Sequence, residues 1–259
     1  MSRDSGDFFE YQVTQWLLDN YEIKLDNQAT CVKYNKWKAK YKYVPIALPT
    51  IPEFDNYDKL RLCADKEGCD GNNADIMLSG DNALLPISLK NNNFSIKHPR
   101  CNAIHKHLVP SLQDKYISAY KELNDKYYKL ARKKGYETFD AFLPEEKKEM
   151  YIDFRFLLYD MCSKSRKTCI NIFMFCIGVH NKNQLTITKK NNTITVRKYK
   201  KLDMQKIKVK LISYTSFYLK VGDVCLIFRI HSASKKITPT LSLKYDVKPE
   251  NINALFEEI

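Results

Sequence analysis

The sequence predicts an α/β fold: a central mixed β-sheet flanked by helices, followed by a strand-rich C-terminal part. Three observations carry that expectation. Residues 70–90 (DGNNADIMLSGDNALLPISLK) alternate turn residues with two short apolar runs, the pattern of a hairpin. Residues 6–20 place Phe9, Val13, Trp16 and Leu17 at helical spacing, an inward stripe. After residue 184, short strand-like segments recur at 184–187, 193–199, 207–211, 224–230 and 240–245. The 259 residues read as a single domain, with a helical elaboration over about 104–165 and a basic strand-rich part over about 170–247.

The first helix has Ser5 or Asp7 as its candidate cap. Glu10 lies three residues before Val13, on the edge of the buried stripe, where an acid is either a first-turn residue favoured by the helix dipole or a functional group. Residues 33–43 (KYNKWKAKYKY) fit a strand by parity and also a basic helix. Helices are expected at about 108–135 and 144–160, the second opened by Pro144, lying beside the central sheet with the first helix packed on one face. The apolar run at 169–180 (CINIFMFCIGVH) reads as a fully buried strand.

Composition excludes several classes. Seven Gly and nine Pro rule out collagen-like and low-complexity chains, and 44% hydrophobic residues supply a core. The longest apolar stretch, 172–179, is far short of the roughly 20 residues that span a bilayer. The start, MSRDSGDFFE, does not read as a secretory signal. Eight scattered cysteines then read as reduced thiols of a cytoplasmic protein without a membrane partner. Cys63, Cys69, Cys101, His105 and His107 match no common zinc spacing. The net charge of +13 points to a polyanionic partner. Residues 181–220 hold eleven Lys or Arg against one acid, Asp203, and Lys198, Lys200 and Lys201 are candidate phosphate contacts.

The hairpin carries the chemistry. With a two-residue turn centred on residues 80–81 or 81–82, Asp75 faces Pro86 or Ser88 and shares a sheet face with Ser88 and Lys90. Ile76, Leu78, Ile87 and Leu89 form the buried face. A carboxylate holds Mg²⁺, and a neighbouring Lys orients the attacking water in phosphodiester hydrolysis. Asp75 as a turn cap and Lys90 as a solvated cation is the bland alternative.

The runs Ala74-Asp75-Ile76, residues 87–93 (ISLKNNN) and residues 96–100 (IKHPR) resemble the core of PD-(D/E)XK nucleases, more narrowly type II restriction endonucleases with an S-x-K form of the signature. Residues 228–231 and 241–246 resemble the C-terminal strands of such enzymes. The resemblance implies a restriction-endonuclease-like core and Mg²⁺-dependent, site-specific cleavage of double-stranded DNA to 5′-phosphate ends by a homodimer on a palindromic site. It also implies catalytic roles for Asp75, Lys90, Ser88 and Glu10, with Asp75, Glu10 and Leu89 at the metal. Ser88 stands where the family usually has an acid, and Glu10 is the candidate replacement, with Asp70 in reserve. Lys97, His98, Arg100, Arg229 and His231 are candidate DNA contacts. A repair or junction-resolving nuclease, or a DNA- or RNA-binding protein with a degenerate nuclease core, remains an alternative.

Overall fold

The computed structural model describes residues 3–64, 74–81, 83–91, 96–178, 184–191, 193–200 and 203–259. The chain forms two compact units, Met1–Ser95 with Gly178–Lys201 and Leu255–Ile259, and Ile96–Ile177 with Leu202–Ala254. The basic strand-rich stretch divides between them.

The first unit is a seven-stranded mixed sheet with two helices. Its strands are β1 (Lys24–Leu25), β2 (Lys59–Leu62), β3 (Ile76–Ser79), β4 (Leu84–Asn91), β5 (Leu185–Lys190), β6 (Thr193–Tyr199) and β11 (Phe256–Glu258), and they lie side by side in that order. The β1–β2 and β4–β5 pairs are parallel, and the other pairs are antiparallel. Strand β4 is central, and Leu85 through Leu89 are buried on both faces, as a strand with a parallel neighbour requires.

Helix α1 (Arg3–Asn20) begins earlier than expected, so Ser5 and Asp7 lie inside it rather than at its cap. Its predicted stripe is in the core: Phe9, Val13, Trp16 and Leu17 pack with Ile76, Leu78, Ile87 and Leu89. Full burial of such side chains contributes roughly 1.5–3 kcal/mol each.

Residues 33–40 of the ambiguous 33–43 segment belong to helix α2 (Gln28–Lys40), and Tyr41 ends it in extended conformation. Asn27 caps it by accepting the Thr30 N–H at 2.9 Å, and Thr30, Tyr34 and Trp37 form a buried stripe at helical spacing. The Thr30 hydroxyl in turn accepts the Leu62 N–H at 3.2 Å, which fixes α2 to β2.

The hairpin register is Ile76↔Ile87 through Ser79↔Leu84, the second of the two expected. Gly80 donates to the Ala83 carbonyl at 3.0 Å. A Cβ on Gly80 would stand 2.2 Å from the Asn56 carbonyl oxygen, so only glycine fits this close approach. Gly80→Ala is expected to lower stability by about 1–3 kcal/mol in urea unfolding, as overpacking against backbone does. An unchanged midpoint would contradict the contact.

The second unit packs three helices on a four-stranded antiparallel sheet. The helices are α3 (Pro110–Lys134), α4 (Pro144–Lys164) and α5 (Arg166–Ile177). Pro110 and Pro144 open the first two, and Gly135 ends α3 at φ 69° in the left-handed region. The strands are β7 (Ile207–Leu211), β8 (Ser216–Val221), β9 (Val224–Ser232) and β10 (Leu243–Glu250), in the order β10-β9-β8-β7. Their inner face, including Phe217, Leu226, Phe228 and Tyr245, is buried, and the Tyr245 hydroxyl donates to the Phe154 carbonyl of α4 at 2.6 Å.

Three expectations are corrected here. The 169–180 run is helix α5 over most of its length: Thr168, Cys169, Ile172, Phe173, Cys176 and Ile177 are buried at helical spacing. A short run that is apolar throughout has no periodicity to separate strand from helix. The 108–160 helices belong to the second unit, which has its own sheet, and not to the unit of the hairpin. Strand β10 continues to Glu250 through Pro249, which an edge strand tolerates because the proline nitrogen needs no ladder partner.

The seven described cysteines are free thiols. Among the described residues no helix is long and apolar enough to cross a membrane.

Candidate functional site

Among the described residues of the first unit, a cluster of titratable groups lies where β2 ends and β3 begins. Asp75 sits one residue before β3 rather than within it. Its N–H donates to the Ile87 carbonyl and its own carbonyl accepts the Cys63 N–H, each at 2.9 Å. The carboxylate reaches across to β4, where Oδ2 accepts the Leu89 N–H at 2.6 Å and lies 3.4 Å from the Ser88 hydroxyl. A charge-assisted bond from a strand amide holds the side chain in one orientation.

Helix α1 brings Glu10 to this cluster, and α2 brings Lys33. Lys33 Nζ lies 3.3 Å from Glu10 Oε2, donates to the Cys63 carbonyl at 3.2 Å, and stands 4.7 Å above the Trp37 ring. Glu10 is mostly buried, with 19% of its side chain exposed. Burial pushes its pKa up to about 7, and Asp75 and Asp7 push the same way against the Lys33 ammonium. Burial also raises Asp75, opposed first by the Lys90 ammonium, then by the Leu89 amide, Lys33 and the Ser88 hydroxyl.

The structure therefore brings together four of the expected catalytic positions. Glu10, Asp75, Ser88 and Lys90 interact directly or electrostatically, and because α1 begins at Arg3, Glu10 lies beyond the first turn where a helix dipole would favour it. Leu89 joins through its amide, while its side chain is in the core. Only its carbonyl remains to touch a cation. Asp70 lies outside the described residues.

Lys33 is the member that sequence reading missed. A signal existed: once 33–43 is read as helical, Lys33 falls three residues after Thr30 and four before Trp37, beside the buried stripe.

Two carboxylates buried near one another, with one pushed to about neutral pH, form a site that a divalent cation would relieve. Among the described residues no group of three His, Cys, Asp or Glu side chains is placed to hold a metal. Mg²⁺ does not require one, since it keeps several waters and uses one or two carboxylates. The donor set fits that cation.

The expected DNA contacts are dispersed. In the first unit Lys198 is tied to Glu53 at 2.6 Å, Lys200 is exposed, and Lys201 lies outside the described residues. In the second unit Lys97 stands 5.2 Å over the Phe175 ring. His98 Nδ1 accepts the Val247 N–H at 2.9 Å, with Asp246 Oδ1 3.2 Å from the same nitrogen. Arg100 is exposed beside Ser242, and Arg229 pairs with Asp246 at 3.4 Å. His231 Nδ1 lies 2.8 Å from the Ser232 carbonyl, and burial lowers its pKa. No protein-family model, no curated protein and no solved structure matches the chain.

Proposed function

We propose that the protein is a Mg²⁺-dependent endonuclease of the type II restriction class, with a restriction-endonuclease-like core in its first unit. It cuts double-stranded DNA at a short specific site and leaves 5′-phosphate ends. In this reading it works in the cytoplasm as a homodimer on a palindromic site. The observation that supports it best is the convergence of Glu10 and Asp75 with the ammonium groups of Lys33 and Lys90.

Glu10, Asp75 and the Leu89 carbonyl would hold the cation. When bound, Mg²⁺ polarises the scissile phosphate and makes a water more acidic. Lys90 orients the attacking water and offsets the charge that develops on the phosphate. The Leu89 amide and Ser88 hydroxyl keep the Asp75 carboxylate aimed, and Lys33 positions Glu10.

The pH dependence tests this directly. A cation competes with a proton for Glu10, so Mg²⁺ affinity should fall about tenfold per unit below pH 7 and level off above it. Nicking of supercoiled plasmid, followed across Mg²⁺ concentration from pH 5.5 to 8.5, checks the expectation. Cleavage with the same Mg²⁺ requirement at pH 5.5 and 8 would contradict it. DNA retention without cleavage in any divalent cation would favour the binding protein with a degenerate core.

A further inference from the structure

The four-stranded sheet of the second unit presents two chemically opposite faces. Cross-strand partners share a face, so the register fixes which residues stand together. Inside are Phe217, Leu219, Leu226, Phe228, Tyr245 and Val247, all buried. Outside, β7 supplies Lys208 and Lys210, β8 Lys220, β9 Arg229, and β10 Lys244 and Lys248. Arg100, bridged to Lys244, extends the face at the β10 edge.

Against these cations the strands set two acids on the same face, Asp246 and Glu250. Asp246 is already engaged by Arg229 at 3.4 Å and approached by His98. Among the described residues, Lys208, Lys210, Lys220, Lys244 and Lys248 have no ion-pair partner within 4 Å. Two cationic pairs stand directly opposite one another across strands, Lys208↔Lys220 and Arg100↔Lys244. Like charges so placed destabilise a sheet. A polyanion lying on the face removes that repulsion.

We propose that this outward face binds the sugar–phosphate backbone of duplex DNA without reading its sequence. The inference rests on the reading of the chain as a protein of double-stranded DNA and names a surface that holds the substrate. Two aromatic rings stand on the face of these strands, Tyr218 opposite Lys210 and Ile227, and the His231 imidazole opposite Lys244. A single-strand platform uses successive aromatic rings for base stacking, and an interfacial membrane site uses a continuous apolar surface. A field of lysines suits phosphates, which position a protein on DNA and carry no sequence information.

The test is Lys208→Gln/Lys210→Gln/Lys220→Gln/Lys244→Gln, compared with an equal charge change on α3, Lys121→Gln/Lys129→Gln/Arg132→Gln/Lys133→Gln. Binding of a random-sequence duplex is measured in EDTA from 0.05 to 0.4 M salt, with circular dichroism melting to confirm folding. Four lost phosphate contacts should reduce the salt slope by roughly 3 to 4 and the affinity at 0.1 M salt by about 10³-fold. The α3 variant should stay within about threefold of the parent.

Equal losses in the two variants would overturn the inference, because net charge alone would then explain binding. So would unchanged duplex binding in the sheet variant, or an effect confined to single strands or to phosphatidylserine vesicles. EDTA keeps the two proposals separable. A parent protein that binds through this face but never cuts DNA would sink the nuclease reading alone, and one that cuts while the sheet variant binds normally would sink the surface alone.

Discussion

Asp75→Asn is expected to abolish Mg²⁺-dependent cleavage while the fold and DNA affinity persist. A neutral amide is nearly the same size but binds Mg²⁺ far more weakly than a carboxylate. The amide oxygen can still accept the Leu89 N–H that now meets Oδ2 at 2.6 Å, so the local backbone has little reason to move. Removal of the carboxylate charge also relieves a buried group whose pKa is raised by that burial, so thermal stability in EDTA should hold or rise. Lys90→Ala should abolish cleavage as well, by at least the 10²–10³-fold that single preorganised electrostatic groups supply, while Mg²⁺ binding is largely retained. Ser88→Ala should cost less than about tenfold, because a hydroxyl at 3.4 Å from Asp75 contributes orientation and no charge. Single-turnover rates together with Mg²⁺ titration separate these outcomes. Full activity in Asp75→Asn would remove the nuclease assignment from this cluster.

Glu10→Gln is expected to move function and stability in opposite directions. Cleavage should fall by about 10²-fold or more, since one of two side-chain carboxylates at the cation is gone. Stability without metal should rise at alkaline pH. The Glu10 pKa is about 7 in the folded protein against an ordinary 4.5, so the folded state binds the proton more tightly than the unfolded chain. Wild-type stability is therefore highest below pH 4.5 with respect to this group, and falls as pH rises towards 7. At about 1.4 kcal/mol per pKa unit, the ionised buried carboxylate costs up to about 3 kcal/mol at pH 8. That shift already includes the opposing Lys33 ammonium, so a net gain approaching about 3 kcal/mol is expected in Glu10→Gln. Urea unfolding in EDTA at pH 5 and pH 8 reads it. A variant no more stable than wild type at pH 8 would contradict the raised pKa of a buried Glu10.

Much of the first unit was legible in the sequence because its signals are local. The α1 stripe is a helical period with large apolar residues, and the hairpin's buried face follows from strand parity once one partner pair is known. The register was narrowed to two alternatives. Both alternatives satisfy the same alternation of apolar and polar residues, so the local pattern does not choose between them. The helical identity of 166–177 was not legible, since an apolar run buried all round satisfies strand and helix equally. Nor was the partition of the helices to a second unit, because amphipathic spacing shows that a face is buried but not what covers it.

The site divides in the same way. The convergence of Asp75, Ser88 and Lys90 was legible from spacing along one hairpin. Glu10 stood out as an acid at the margin of a buried stripe, a local conflict with the pattern around it. Lys33 was missed because its partners, Glu10 and the Cys63 carbonyl, are 23 and 30 residues away and on other elements. The basic run at 181–220 was legible as charge but not as a surface. Its lysines fall on two sheets, and the cations of β7 and β8 gain meaning only beside those of β9 and β10.

If Glu10 and Asp75 serve a cation-dependent, site-specific cut in DNA, the fragment ends will show it. Every end is sequenced after incubation of wild type and Asp75→Asn with phage DNA, in Mg²⁺ and in EDTA. The expected result is 5′-phosphate ends that recur at one short palindrome for wild type in Mg²⁺, and intact DNA in the other three reactions. Uncut DNA in all four reactions, or the same ends from Asp75→Asn or in EDTA, would contradict it.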